Sequence, residues 1–129
     1  MVVYGVSTFY LLGCSPYDVA LTASLPDGNF QASSVLDSNL NQPYMAKIGG
    51  DKEWCPSTAS VFEFIQIDFS SPYRVCAIDT QGHHTLSWFV STYRVAYSLN
   101  GSSWADVTVE NKSILVGMQF EMSSFSVMQ

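Results

Sequence analysis

Adjacent His83 and His84 are the residues of this chain best suited to hold a metal or move a proton. A transition metal needs three or four ligands converging at fixed spacing, whereas neighbours in extended chain point to opposite sides. Asp51 and Asp79 are nearby carboxylates, but no His-x-x-x-His or Cys–His cluster accompanies them, so no metal is expected. Serines are abundant, yet no Gly-x-Ser-x-Gly elbow occurs and no third group stands by to orient a histidine base. A phosphate-cradling glycine loop is also missing, and no carboxylate pair stands out for glycoside cleavage. The expectation is therefore a non-enzyme with no catalytic residue and no cofactor.

What remains is recognition chemistry. His83 and His84 can hydrogen-bond a sugar or a carboxylate, and Trp54 and Trp88 can offer an aromatic platform. Trp88 and Phe89 are adjacent, so both cannot point inward from extended chain, and one is expected at a binding tip. Leu36, Asn39 and Leu40 sit among turn formers in the segment 35–45 and form a second candidate tip, with Tyr44 assigned to the core. Large apolar side chains in such segments either fold back onto a core or are displayed for binding.

The elements that must position these residues are short strands. Helix-period stripes are missing; runs of β-branched and aromatic residues alternate with Gly, Pro, Asn, Asp and Ser. The segment 62–69 reads F-E-F-I-Q-I-D-F. Phe62, Phe64, Ile67 and Phe69 are expected inward with Ile65, while Glu63, Gln66 and Asp68 stay polar. Ser71-Pro72 is read as its end, and Asp68 as a residue that bridges loop backbone there. A further strand runs over 74–80, where Asp79 keeps one face from full burial. Tyr93, Val95, Tyr97 and Leu99 share one side of a strand that meets Asn100-Gly101, a strong hairpin signal because both residues tolerate positive φ. Trp104 follows the turn and is expected to fold over the strand it pairs with. Many short strands separated by turn signals predict an all-β sandwich or barrel.

Composition narrows the partner. The chain has 129 residues, room for one domain, with 47% hydrophobic and only 12% charged residues, the balance of a packed globule. Five basic residues face eleven acidic ones for a net charge of −6, and Lys47, Lys52, Arg74, Arg94 and Lys112 never cluster. Nucleic acid requires a positive stripe, so it is not an expected partner. Anionic phospholipid is disfavoured for the same reason, Lys52 being alone in the loop region.

Three cysteines and two sequons, Asn100-Gly101-Ser102 and Asn111-Lys112-Ser113, together point to an oxidising, secretory route and mark Asn100 and Asn111 for glycosylation. Cys55 precedes the 62–69 strand and Cys76 lies on the next one, segments expected to be neighbours. A Cys55–Cys76 bridge needs Cα atoms about 4.4–6.8 Å apart, and it is the predicted disulfide; the alternative is two free thiols, with Cys76 a small buried hydrophobe. Residues 1–13 are apolar, short of a bilayer span and without a preceding basic residue, and they are read as a strand with its lead-in rather than as a signal segment or lipoprotein box.

In order along the chain, the blocks Gly13-Cys14-Ser15-Pro16, Leu25 to Ser34, Trp54-Cys55-Pro56, Phe64 to Phe69, Val75 to Gly82 and Tyr93 to Trp104 resemble the discoidin domain family, also called the coagulation factor type C domain. Phe64-Ile65-Gln66-Ile67-Asp68-Phe69 is similar to the family's W-L-Q-I-D-L, and Tyr93 to Trp104 to its Y-x-V-x-Y-S-x-D-G-x-x-W. No single block is specific, but the ordered set is. The resemblance implies a jelly-roll β-sandwich whose ligand-binding loops, here 35–45, 49–61 and 82–90, cluster at one end.

It also implies a non-catalytic recognition module, secreted or at the cell surface, that binds an extracellular protein in adhesion or matrix attachment. Rival readings are a lectin-like role through His83, His84 and Trp88, and a binding domain appended to a larger receptor or enzyme. The resemblance covers 13–117, leaving 1–12 as a lead-in and 118–129 as a divergent tail without the family's terminal cysteine. C-terminal strands are accordingly expected to be missing, through an incomplete product, or replaced by the tail. Cys14, lacking its family partner, is expected as a free thiol able to form covalent dimers.

Overall fold

The computed structural model describes residues 8–13, 21–47, 51–83, 85–86, 88–90, 93–106 and 120–128. Six strands order them: β1 (Thr8–Gly13), β2 (Phe30–Ala32), β3 (Phe64–Gln81), β4 (Arg94–Ser98), β5 (Ala105–Asp106) and β6 (Phe120–Met128). The only helices among the described residues are single 3-10 turns at Asp27–Asn29 and Pro43–Ala46. All pairings are antiparallel, in the order β1-β3-β6-β4-β5, with β2 also on β3. The fold is an all-β sandwich, as the alternating runs predict.

Strand β3 organises the molecule, and the end read at Ser71-Pro72 is instead a bulge inside it. Asp68 pairs with Ser124 and Tyr73 with Met122, so Phe69 to Pro72 stand opposite Ser123 alone. Pro72 has no amide to give to the ladder, and Ser70 takes φ 62, both of which suit a bulge. Asp68 does bridge the backbone there: its Oδ1 accepts the Ser70 amide at 2.7 Å. Asn29 ties in from the side, its Nδ2 donating to the Asp68 carbonyl at 2.6 Å and the Ser70 hydroxyl at 2.9 Å.

The bulge has a long-range effect. In a straight strand His83 would lie roughly 60 Å from Ile65, at about 3.3 Å per residue. Yet Trp54 packs in one cluster with Ile65, and its neighbour Glu53 touches His83. β3 therefore turns back on itself, its first half flanked by β2 and its second by β1, with β6 along both. Bulges are the usual device by which a strand turns such a corner.

Phe30, Ala46, Trp54, Ile65, Ile67, Phe69 and Val95 form the core, with Leu21, Leu25, Ala32, Val35, Tyr44, Tyr93 and Tyr97 packed against it. Fully burying one such Ile or Phe side chain is worth about 1.5–3 kcal/mol. Strict alternation back from Phe69 buries Ile67, Ile65 and Glu63, so the expected inward face of 62–69 needs correction. Phe62 is 84% exposed, Phe64 is half-buried, and Glu63 is the residue inside.

Of the N-terminal apolar stretch, Thr8–Gly13 form strand β1, and residues 1–7 lie outside the described residues. Within 118–129 the chain forms β6, hydrogen-bonded to both β3 and β4, so the tail supplies a strand rather than leaving one missing. The β4–β5 hairpin forms, Tyr97 pairing with Ala105, but not through a two-residue primed turn. Gly101 takes φ 70 while Asn100 does not have positive φ, and Trp104 remains 38% exposed instead of burying its ring.

Candidate functional site

The three loops 35–45, 49–61 and 82–90 are anchored by polar groups that the fold has buried. Glu63, carried inward by the β3 alternation, would be costly there without partners. Its Oε2 accepts the Ser34 hydroxyl at 2.7 Å and that of Ser33, and its Oε1 accepts Thr58 at 2.5 Å. Burial alone would push the carboxyl up; the three hydroxyls from Ser33, Thr58 and Ser34 outweigh it and hold the group below its ordinary 4.5. The same serines reach the backbone, Ser33 Oγ accepting the Phe64 amide at 2.9 Å and Ser34 Oγ the Ser57 amide at 3.0 Å. One carboxylate thus fastens the start of the first loop, the end of the second and the start of β3.

Trp54, expected as an aromatic platform, is a core residue at 1% exposure, and its indole donates to the Ser34 carbonyl at 2.9 Å. The reason is its place beside Ile65 and Ile67, where its large ring fills the space between sheet and loops. Next to it Cys55 is a buried free thiol, so the predicted Cys55–Cys76 bridge is absent. Cys76 lies nine positions beyond Ile67 in the same strand, past the bulge and on the half paired with β1. Burial, with the Glu53 charge adding to it, pushes the Cys55 thiol up to about 11, and so keeps it unreactive at neutral pH. Cys14 lies outside the described residues.

Glu53 is where all three loops meet. Its carbonyl accepts Asn41 Nδ2 of the first loop at 3.3 Å, and its Oε1 lies 3.0 Å from His83 Nε2 of the third. His83 Nδ1 accepts the amides of Thr85 and Leu86 at 3.0 and 3.1 Å, which fixes the proton on Nε2, where it is given to Glu53. The His83 amide donates to the Trp88 carbonyl at 2.8 Å, and the two rings meet edge to face at 5.8 Å. Gly82 makes this closure possible, since a Cβ there would stand 2.7 Å from the Trp88 carbonyl oxygen. His83 is thus engaged with its own loops through both ring nitrogens, which does not suit the direct ligand contact expected of it. His84 lies outside the described residues.

Around this polar hub the apolar residues turn outward. Leu36 and Leu40 are 47% and 54% exposed, Leu86 and Phe89 46% and 50%. Each is tied to the hub by its backbone or a neighbour. Leu40 precedes Asn41, the Leu36 amide donates to the Cys55 carbonyl at 2.8 Å, the Leu86 amide donates to His83, and Phe89 follows Trp88. The first loop is further locked by Asp37, whose Oδ1 accepts the exposed Asn39 amide at 2.7 Å and whose carbonyl accepts the Asn41 amide at 2.9 Å. Of the adjacent pair, Trp88 is half-buried against His83 and Phe89 points out. Tyr44 packs on the core.

Glu53, Glu63, Ser33, Ser34 and Thr58 were not singled out by sequence reasoning. Glu63 was detectable: it continues the odd-numbered series of Ile65, Ile67 and Phe69. Among the described residues no group of three His, Cys, Asp or Glu could hold a metal ion, and no helix is long and apolar enough to cross a membrane. Two cations are paired within the domain, Lys47 with Asp27 at 2.8 Å and Arg94 with Asp106 at 3.7 Å.

Residues 20–122 match the family model for the F5/8 type C domain. Lactadherin from Sus scrofa is 30% identical over 113 residues, covering 76% of this chain and 28% of that protein. Lactadherin from Bos taurus is also 30% identical, with 76% and 26% covered. Neuropilin-1 from Mus musculus is 35% identical over 86 residues, 64% of this chain and 9% of that one. The chain thus spans a small part of each of these relatives. Discoidin domains are non-enzymatic binding modules. By the extent of that match, and by the loops gathered at one end of an all-β sandwich, the chain belongs to the F5/8 type C, or discoidin, domain family.

Proposed function

We propose that the chain is a non-catalytic extracellular recognition module that binds a protein of the matrix or cell surface through its three loops. One observation carries the reading: Glu53 joins all three loops while Leu36, Leu40, Leu86 and Phe89 stay exposed around it. An apolar tip on a hydrogen-bonded base is pre-organised, so little ordering entropy is lost when a partner docks. A sugar site would want free polar groups beside an exposed aromatic face. Here His83 is engaged by Glu53 and its own loop, Trp54 is buried and Trp88 is packed on His83, which favours a protein partner over a glycan. Anionic phospholipid remains disfavoured, because Lys52 is the sole basic residue of these loops.

A secreted or cell-surface location follows from this reading, and the domain serves as the binding part of a larger receptor or adhesion protein. The test is a parallel binding assay of the purified chain on a panel of matrix proteins, a glycan array and phosphatidylserine vesicles. The reading expects saturable binding to a matrix protein. Binding confined to glycans would establish the lectin role, and binding confined to vesicles a lipid role.

A further inference from the structure

The hairpin between β4 and β5 lies at the other end of the sheet from these loops. Arg94 pairs with Met128 and Met128 with Phe64, beside the Glu63 network, whereas Ser98 pairs with Ser124 and Ser124 with Asp68. The length of β4, about 3.3 Å per residue, separates the two ends.

At this far end Asn100 is exposed and its side chain is oriented without ambiguity. Oδ1 accepts the amides of Ser102 and Ser103 at 2.9 and 2.8 Å and the Ser98 hydroxyl at 3.2 Å, which only a carbonyl oxygen can do. Ser98 Oγ in turn accepts the amides of Asn100 and Gly101 at 3.2 and 2.9 Å. The turn therefore uses the oxygen of the Asn100 amide and leaves Nδ2 with no hydrogen-bond partner among the described residues. Nδ2 is the atom that an N-glycan would occupy in Asn100-Gly101-Ser102.

The surroundings of that atom carry a second, independent signal. Leu99 is 59% exposed and Trp104 38%, one adjoining Asn100 and the other adjoining Ser103, whose amide is bonded to Asn100. Beyond them lies β5, whose two residues are both exposed and which pairs only with β4 among the described strands. Bare apolar side chains around a hairpin turn are a liability on a secreted protein unless something covers them.

We infer that Asn100 carries an N-linked glycan whose first sugar lies over the exposed Leu99 and Trp104, leaving the recognition loops at the opposite end clear. The inference rests on the extracellular reading. In the transfer, a lipid pyrophosphate-linked oligosaccharide is the donor. A bond forms between Asn100 Nδ2 and the sugar's anomeric carbon, the bond from that carbon to the pyrophosphate oxygen breaks, the lipid pyrophosphate leaves, and Nδ2 loses one proton. Oδ1 forms no new bond in this step, so the glycosylated turn can keep the Ser98, Ser102 and Ser103 hydrogen bonds to it.

The test expresses the full chain with a cleavable secretion leader in glycosylating animal cells. Peptides containing Asn100 are then mapped by mass spectrometry in both secreted and cell-retained protein. The expected result is a glycan on most Asn100, released by peptide N-glycosidase to leave Asp in its place, and lost in both Ser102→Ala and Asn100→Asp. The Asp variant retains an acceptor for the turn, so it should melt like enzymatically deglycosylated protein, separating loss of glycan from loss of fold. Hydroxyl-radical labelling of Leu99 and Trp104 should rise several-fold when the glycan is removed. An unmodified Asn100 in both fractions would overturn the assignment, and unchanged labelling of an occupied site would overturn the covering role. Neither readout depends on whether the loops bind a matrix protein.

Discussion

Within the same three loops, the buried base and the exposed tips follow opposite rules. At the base, polar groups are sheltered and bonded: Glu63 is buried under Ser33, Ser34 and Thr58, and the half-buried Glu53 lies between Asn41 and His83. At the tips, apolar groups are outside: Leu36, Leu40, Leu86 and Phe89. This inverts the usual partition of residue types. Buried carboxylates with good partners fix loop geometry, while the outward side chains contribute little to folding and are available to a ligand. Stability and recognition thus sit on different residues only a few positions apart.

That separation can be attacked from the base upward. Trp54→Ala removes the largest fully buried ring and its bond to Ser34, and should cost about 3–5 kcal/mol. Urea unfolding measures it; a loss below about 1 kcal/mol would place Trp54 outside the structural base.

Glu63→Gln should have a smaller effect, on the order of 1–3 kcal/mol, through weakened bonds to three hydroxyls. The effect should also depend on pH. Folding lowers the carboxyl's pKa, so the folded state binds its proton less readily than the unfolded chain. The stabilisation is complete above the unfolded value near 4.5 and drains away as the pH falls through the lower folded one. The stability gap between wild type and Glu63→Gln should therefore narrow below 4.5 and stay constant above it.

Gly82→Ala sharpens the comparison where base meets tip. Its Cβ would press on the Trp88 carbonyl at 2.7 Å and on the Phe89 Cβ at 3.1 Å, displacing the third loop. Overpacking of this kind costs about 1–3 kcal/mol, at the low end where a surface loop can yield. Hydrogen exchange should accelerate across 82–90 while the β4–β5 hairpin stays unchanged.

The strands and hairpin were legible because burial follows alternation, and alternation is written in residue types. Val95 and Phe69 needed nothing more. The misread face of 62–69 came from weighting hydrophobicity over period: Phe62 looks like core and Glu63 does not, yet partners 30 residues away in sequence, Ser33 and Ser34, make the carboxylate the buried one. β6 was hidden by its serines, which read as loop composition until β3 and β4 pair with them. Ser71-Pro72 marked a bulge rather than an end, a distinction made by the β6 partner strand and not by the local sequence, and Cys55 is a free thiol rather than half of the expected Cys55–Cys76 bridge. The three loops were identified as a site, but their hub was not: Glu53 is an ordinary surface-type residue until the β3 bulge brings His83 to it.

The most direct test of the account is a paired measurement on Leu40→Ser/Leu86→Ser/Phe89→Ser, comparing its melting temperature and its binding to whichever matrix protein the wild-type chain retains. Exposed sites change stability by about 0.5 kcal/mol or less each, whereas docking residues of this kind cost more than about 1 kcal/mol apiece in affinity. The account predicts at least a tenfold loss of binding with a melting temperature close to that of wild type. A protein that melts far earlier yet binds undiminished per folded molecule would contradict it, since the tips would then belong to the base.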